Sequence, residues 1–360
     1  MMNAEKLHRI DCSAPDSLID SGQIIRIRHV PLRLKDHSLD PPVFLAPLAG
    51  ITDLPFRNLV SQFGAGLVIS EMVASQEMVQ ARRGAREKAE LGLGVENIAV
   101  QIAGREAHWM AEAARMIEAN GARLIDINMG CPAKKVTSSS GAGASGSALM
   151  KDLDHALSLI EAVVQAVDLP VTLKTRLGWD DALMNAPELA RRAEAAGIVL
   201  ITIHGRTRCQ FYKGHADWAA IARVKQAVRI PVIANGDIVD TDTAQQALTL
   251  SGADGVMVGR GAQGRPWQLA QISHDLYDTQ LPEIPEGPAL ADLVAGHYEA
   301  MLEFYGTKLG SRAARKHLGW YMDTAGTGRE LRRRILTSKD PAEVLHLIPQ
   351  AMQDMQRQAA

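Results

Sequence analysis

Short apolar runs alternate with longer alanine-rich amphipathic stretches along most of this chain. Eight runs stand out: Val43 to Ala46, Leu67 to Ser70, Ile98 to Ile102, Leu124 to Asn128, Val171 to Thr175, Leu200 to His204, Val232 to Asn235 and Gly255 to Val258. Short β-branched or apolar runs that end in polar or glycine-containing loops predict strands, and the stretches after most of them predict helices. Nothing marks a reversal of strand order, so the pattern predicts an α/β fold of the (β/α)8 TIM-barrel class rather than an open sheet. Ala-Asn-Gly-Ala at 119 to 122, Ala-Ala-Gly-Ile at 195 to 198 and Ser-Gly-Ala-Asp at 251 to 254 fit that reading. Each places a glycine where a helix must end and turn into the next strand.

Two segments break the alternation. Residues 1–40 read as a polar, Pro-containing leader that could form an extra hairpin, and the barrel is expected over 41–280. Leu281-Pro-Glu-Ile-Pro-Glu-Gly-Pro288 is a proline-rich linker into a tail, 281–360, that looks helical from about Ala289 and lacks strand-like runs. A separate all-helical C-terminal domain is the expectation, leaning on the barrel because it is small.

Composition adds limits. The 360-residue chain has a formal net charge of -2, which argues against wholesale binding of nucleic acid by charge alone. That mean conceals a segment from Lys308 to Lys339 with nine basic residues against Asp323 and Glu330, a formal charge of +7. Arg312, Arg315 and Lys316 share one helix face there, with His317, Trp320 and Tyr321 close by, a combination suited to a phosphate backbone as well as to a merely solvated surface. No apolar run reaches the ~18 residues of a membrane span and no signal-peptide core is visible, so the cytoplasm is the default location. Three cysteines, Cys12, Cys131 and Cys209, show neither a disulfide framework nor zinc-site spacing, and no metal is expected.

Chemistry in such barrels collects at the carboxyl ends of the strands. Here those ends carry Ala46-Pro-Leu-Ala-Gly50, Gln101, Asn128 with Cys131 beyond it, Lys174 and Arg176, His204-Gly-Arg206, Asn235-Gly-Asp237 and Gly259-Arg-Gly261. The last two loops, in register after strands seven and eight, suit a phosphate held by glycine amides and a following helix. Lys174 and Arg176 lie two apart and share a strand face. A phosphate site, a backbone-rich first strand and a lysine at strand five together suggest FMN across the barrel mouth, with Lys174 countering charge near flavin N1 and Gln101 bonding the ring edge. On residues alone Cys131 remains open as an acid, a nucleophile or filler.

Ala46-Pro-Leu-Ala-Gly-Ile-Thr-Asp-Leu-Pro-Phe-Arg57, Ser70-Glu-Met72, Asp126-Ile-Asn-Met-Gly-Cys-Pro132, Leu173-Lys-Thr-Arg-Leu-Gly-Trp179, Ile203-His-Gly-Arg-Thr207, Asn235-Gly-Asp-Ile238 and Val258-Gly-Arg-Gly261 resemble, in order, the tRNA-dihydrouridine synthases. The resemblance runs from about residue 40 to 267 and continues in Arg315-Lys-His-Leu-Gly-Trp-Tyr321, which is similar to that family's helical tRNA-binding domain. It is closest to the bacterial B-type branch. Leu48, where methionine is common, and the long leader are departures that do not touch the chemistry.

That resemblance implies FMN-dependent reduction of the C5–C6 double bond of specific uridines in tRNA, with NADPH as electron donor and hydride passing from reduced FMN to C6. It makes Cys131 the acid that protonates C5, which suits an ordinary thiol, protonated near neutrality with a pKa of ~8.5. It implies Pro47, Leu48, Ala49, Gln101, Lys174, His204, Asn235, Gly236, Asp237, Gly259 and Arg260 as flavin contacts. Asn128, Arg176, Arg206, Arg312, Arg315 and Lys316 are expected to meet the RNA. A structural hydrogen bond is an equally good reading of His204. Buried in folded RNA, the target base would have to be extruded into the pocket. No Gly-x-Gly-x-x-Gly fingerprint marks a separate nicotinamide site, and no obligate protein partner is evident. The rivals are an FMN barrel acting on a small pyrimidine such as dihydroorotate, an RNA-binding protein with an inactive barrel, and an aldolase using Lys174 as a Schiff base. The first needs no basic tail, the second no intact Cys131, Lys174 and His204, and the third leaves Cys131 and the glycine loops without a joint explanation.

Overall fold

A computed structural model describes residues 31–80, 89–90, 97–137 and 144–353. Its strands are β1 (Leu32–Leu34), β2 (His37–Leu39), β3 (Val43–Leu45), β4 (Leu67–Ile69), β5 (Val73–Ala74), β6 (Ile98–Ala103), β7 (Ile125–Met129), β8 (Val171–Arg176), β9 (Leu200–His204), β10 (Val232–Asn235) and β11 (Gly255–Val258). All eight expected runs are strands. They pair in parallel from β6 through β11, then β11 to β3, β3 to β4 and β4 back to β6, which closes the barrel. The two residues of β5 add to β6 beyond the point where β4 stops. β7 and β8 each run one residue past their apolar stretch, because the ladder follows backbone pairing, with Met129 opposite Thr175 and Arg176 opposite His204.

The two faces of each strand do different work. Outward residues such as Val43, Val100, Ile127, Leu173 and Ile203 join the helices in one large apolar core. Inward residues form layers: Phe44, Ala99, Leu200, Ile233 and Met257 fill the lower barrel, and the polar Gln101, Asp126, Thr172 and Lys174 lie buried above them. The expected hairpin is β1–β2, antiparallel, and its Leu34 and Leu39 pack into that lower apolar layer. The barrel floor is thereby closed and the carboxyl ends of the strands remain as the open face. Cys12 and the rest of residues 1–30 lie outside the described residues.

The three glycines expected to end helices do so in the left-handed region, with φ of 86° at Gly121, 105° at Gly197 and 62° at Gly252. Beyond the barrel, helices span Gly287–Tyr305, Thr307–Thr324, Arg329–Thr337 and Pro341–Met352 and bury a second apolar cluster around Val294, Tyr298, Met301, Leu318 and Ile348. Trp267 joins this cluster and stacks edge-on against Phe63, 6.0 Å away, tying it to the barrel side. The first tail helix starts at Gly287, two residues before the expected onset. Pro288 takes its first turn, where a missing N–H costs nothing. No helix among the described residues is long and apolar enough to cross a membrane.

Candidate active site

A cavity of about 490 Å³ opens at the carboxyl ends of the strands. Its wall includes Pro47, Leu48 and Ala49 after β3, Gln101, Asn128 and Cys131 in its middle, Lys174, Arg176 and His204 on β8 and β9, and Asn235, Gly236, Asp237, Gly259 and Arg260 after β10 and β11. Every barrel residue expected at the site therefore lines one space, except Arg206. Met72, from the Ser70-Glu-Met72 motif, lines it too, as do Tyr212 and Gln263, to which no sequence pattern points. Tyr212 is 59% exposed, and the Arg176 guanidinium lies 5.5 Å from its ring centre. A lone aromatic in a loop carries no periodic signal, so only the folded loop after β9 reveals it.

Strand register builds a polar chain across the floor. Gln101 Nε2 donates to Asp126 Oδ2 at 2.6 Å, Thr172 Oγ1 donates to Asp126 Oδ1 at 2.7 Å, and Asn128 Nδ2 donates to Gln101 Oε1 at 2.7 Å. Asn128 Oδ1 accepts from the backbone N–H of Gly130 and of Cys131, at 3.1 and 3.0 Å. Ser147 holds the Cys131 carbonyl from the other side, through its hydroxyl at 2.9 Å and its N–H at 3.1 Å. The cysteine backbone is thus pinned while its side chain stands half-buried at the cavity wall.

Lys174 Nζ donates to Asn235 Oδ1 at 2.9 Å, and Asn235 Nδ2 donates to the Met257 carbonyl at 2.8 Å. Burial lowers the lysine to about 8 from 10.5, and the neighbouring Arg176 pushes the same way against Asp126. Burial raises Asp126 above the usual carboxylate range, tempered by its bonds from Gln101 and Thr172. His204 is held well below its ordinary value, first by burial and then by Lys174, Arg176, Arg206 and Arg260. Its imidazole is therefore neutral near pH 7. With Arg206 3.3 Å from Nε2, a guanidinium that can only donate leaves the ring proton on Nδ1.

Arg176 and Arg206 are each only 1% exposed, which decides what they do. Arg176 donates to the carbonyls of Gly130, Thr207 and Phe211. Arg206 donates to the carbonyls of Lys213 and Gly214 and to Asp237 Oδ2, the last at 2.6 Å. With its nitrogens so engaged, Arg206 braces the loop after β9. Asp237 is similarly occupied: Arg206, the Ala216 N–H and Arg260 at 3.1 Å hold its carboxylate below the ordinary range, overcoming partial burial.

Gly236 and Asp237 both have positive φ, 110° and 54°. A Cβ on Gly236 would come within 2.9 Å of Ala216 Cβ and His204 Cδ2. Gly236→Ala is expected to displace His204 and the loop after β10, seen as a fall of a few degrees in melting temperature. At Gly261 a Cβ would meet Val239 Cα at 2.6 Å, so the two loops touch backbone to backbone. A Cβ at Gly259 would clash with nothing, lying in ordinary contact 3.7 Å from Ala46 Cβ and Leu48 Cδ2.

The basic tail residues stand beside this rim. Arg312 and Lys316 are exposed on the helix Thr307–Thr324, and Arg315 is half-buried with a long contact of 3.4 Å to the Ser338 carbonyl. Lys316 Nζ reaches Gly50, next to the cavity-lining Ala49 and Ile51. Arg332, Arg333 and Arg334 are paired with Asp323, Glu330 and Glu343. Arg312 and Lys316 pair with no acidic group among the described residues.

Comparison with known proteins agrees with this arrangement. The dihydrouridine synthase family model matches residues 44–359. A protein of Rhodobacter capsulatus called a probable tRNA-dihydrouridine synthase is 60% identical over 89% of this chain and 97% of its own length. One of the same description from Rhizobium leguminosarum is 55% identical over 84% of this chain and 92% of its own. The tRNA-dihydrouridine synthase B of Xanthomonas axonopodis is 45% identical over 88% of this chain and 94% of its own, so the expected B-type branch is represented. Among solved structures, a 2-naphthoyl-CoA reductase complex aligns with a TM-score of 0.54 at 14% identity, over 68% of this chain and 52% of that one, a likeness of fold alone. The family match spans the barrel and the tail, and it includes the cysteine loop, the β8 lysine and the paired glycine loops that meet in the cavity: the chain is an oxidoreductase belonging to the dihydrouridine synthase family.

Proposed function

We propose that this protein reduces the C5–C6 double bond of uridines in tRNA, with FMN in the barrel mouth, NADPH as the electron donor and Cys131 as the proton donor. The observation that carries the reading is the convergence of Cys131, Asn128, Lys174 and the two glycine loops on one cavity whose rim touches the basic tail helix. The donor set fits an FMN. Lys174 offers a buried cation, Gly259 leaves room for close backbone approach, and Arg260 adds positive charge beside loops suited to a phosphate. The Asp237 carboxylate is already neutralised by two arginines, so that residue would contribute its left-handed backbone, not its charge. Bound reduced FMN supplies the hydride.

The chain's own residues do the rest. Asn128, anchored by Gln101, orients the base edge, and Cys131 transfers its thiol proton to C5. Lys174 and the neutral His204 would hold the flavin. Arg176 and Arg206 serve by shaping the loops over the site. Residues 281–360 act as the tRNA-binding domain and 41–280 as the catalytic one, and a cytoplasmic location goes with that substrate. Incubating the protein with unmodified tRNA and NADPH and measuring dihydrouridine by mass spectrometry of nucleosides tests the reading. A purified protein that carries no FMN, or that oxidises NADPH without forming dihydrouridine, would overturn it.

The tail makes a separate prediction. Replacing Arg312, Arg315 and Lys316 together by Ala should weaken tRNA binding and flatten the slope of log affinity against log salt by about 2 units, since each phosphate contact contributes about 0.7 to 0.9. Flavin content should not change. Equal salt slopes for variant and parent would remove this helix from the docking surface.

A further inference from the structure

Behind the loop that follows β3, three side chains from three segments converge away from the cavity. Asp53 caps the helix Leu54–Gln62, His297 lies on the first tail helix and His317 on the second. They are 4%, 5% and 2% exposed, and one potential ligand atom from each lies within 4.8 Å of the others. Ring packing explains part of the arrangement: the two imidazole centres are 4.8 Å apart, and Phe56 lies against both. It does not explain the nitrogens. Nε2 of His297 and both nitrogens of His317 are buried without a well-formed hydrogen bond, although the Ile51 backbone lies near enough to His317 to favour its protonated form slightly. Buried polar nitrogens are normally paired, so two histidines that each leave at least one without a partner in one place call for something that binds them.

We propose that Asp53, His297 and His317 form a binding site for a divalent transition-metal ion of the zinc class, clamping two tail helices to the barrel. The outer contacts are those such a site needs. His297 Nδ1 lies 2.9 Å from the Tyr321 hydroxyl, and in the tautomer that puts the proton on Nδ1 the unpartnered Nε2 keeps a lone pair for a metal. One Asp53 oxygen is held by the Phe56 N–H at 3.1 Å, and Tyr305 bonds the same carboxylate. Burial holds both imidazoles below their ordinary value, helped at His297 by His317 and at His317 by Lys316. Burial and the nearby Glu71 carboxylate raise Asp53 to about 6, against the bonds from Phe56 and Tyr305 and the charge of Arg57.

Tetrahedral coordination at about 2.1 Å sets ligand atoms about 3.4 Å apart, so the three must draw in by at most about 1.4 Å, within reach of small side-chain rotations. The fourth position falls to water or to Tyr305. No Cys/His spacing announces the site, since its ligands are far apart in the chain. It stands apart from the flavin chemistry and does not depend on the proposed reaction.

Full-length, tag-free protein treated with chelator and then titrated with Co2+ provides the test. The expected result is one equivalent bound with the intense long-wavelength bands of four-coordinate Co2+, displaced by Zn2+, and a melting temperature that rises with either metal. Asp53→Asn keeps a good helix cap. It and the double variant His297→Gln/His317→Gln should weaken binding by more than the about 10- to 100-fold that loss of an outer contact produces. Absence of those bands in the parent protein, or equal bands in the double variant, would overturn the proposal; the parent's spectrum decides even where a variant fails to fold.

Discussion

Cys131→Ala is expected to slow dihydrouridine formation by about 10² to 10⁴-fold, the range general acid catalysis supplies, while flavin content and tRNA affinity stay at the parent level. The separation follows from how the residue is held. Asn128 and Ser147 grip the main chain of Cys131 through its N–H and carbonyl, and those bonds survive the loss of the thiol. Alanine therefore removes the proposed proton donor with little change in the loop. Mixing anaerobically reduced protein with tRNA and following flavin reoxidation in a single turnover isolates the step, because neither NADPH binding nor product release enters the rate. A Cys131→Ala protein that reoxidises as fast as the parent would remove Cys131 from the chemistry.

Lys174→Met should lose about 10- to 150-fold in flavin affinity, the equivalent of a hydrogen bond to a charged group, without loss of fold stability. Burial depresses this lysine to about 8, so the folded state resists its charge. Below about pH 8 the buried ammonium therefore costs stability, and that cost fades as pH rises toward the ordinary 10.5. Methionine removes the cost along with the cation, which makes cofactor loss and unfolding separable in one protein. The same titration predicts a pH effect in the parent: affinity for reduced, anionic flavin falls as pH rises through about 8, when Lys174 gives up its proton. Flavin binding measured by fluorescence quenching from about pH 6.5 to about 9.5 checks both. A parent curve that stays flat across about pH 8, or a Met variant with parental affinity, would show that Lys174 does not hold the cofactor.

Much of this molecule is legible in its amino-acid sequence. Barrel strands are buried on both sides, so their sequences are short, apolar and bounded by polar loops, and all eight can be read along with the glycines that precede several of them. Period-two alternation then places Gln101, Asn128, Lys174, His204 and Asn235 toward the interior near the mouth, where they line one cavity. Arg206 lies outside the cavity lining for a physical reason. A sequence shows an arginine at a strand end but not the carbonyls of Lys213 and Gly214 that a folded loop brings to it. Tyr212 is hidden for a related reason, since its position over the cavity depends on the path of a loop that has no period.

What the sequence determined by itself is whatever local pattern encodes: strand number and order, the inward face of each strand, the loops that carry chemistry and the basic helix of the tail. Tertiary structure alone decided which of those residues spend their hydrogen bonds inside the protein, how Lys316 comes to rest beside Gly50 at the rim, and that Asp53 meets His297 and His317. The reason is separation along the chain. Periodicity reports on a residue's own element, whereas the partners that fix its charge, its proton and its freedom to meet a ligand come from elements far away in the sequence.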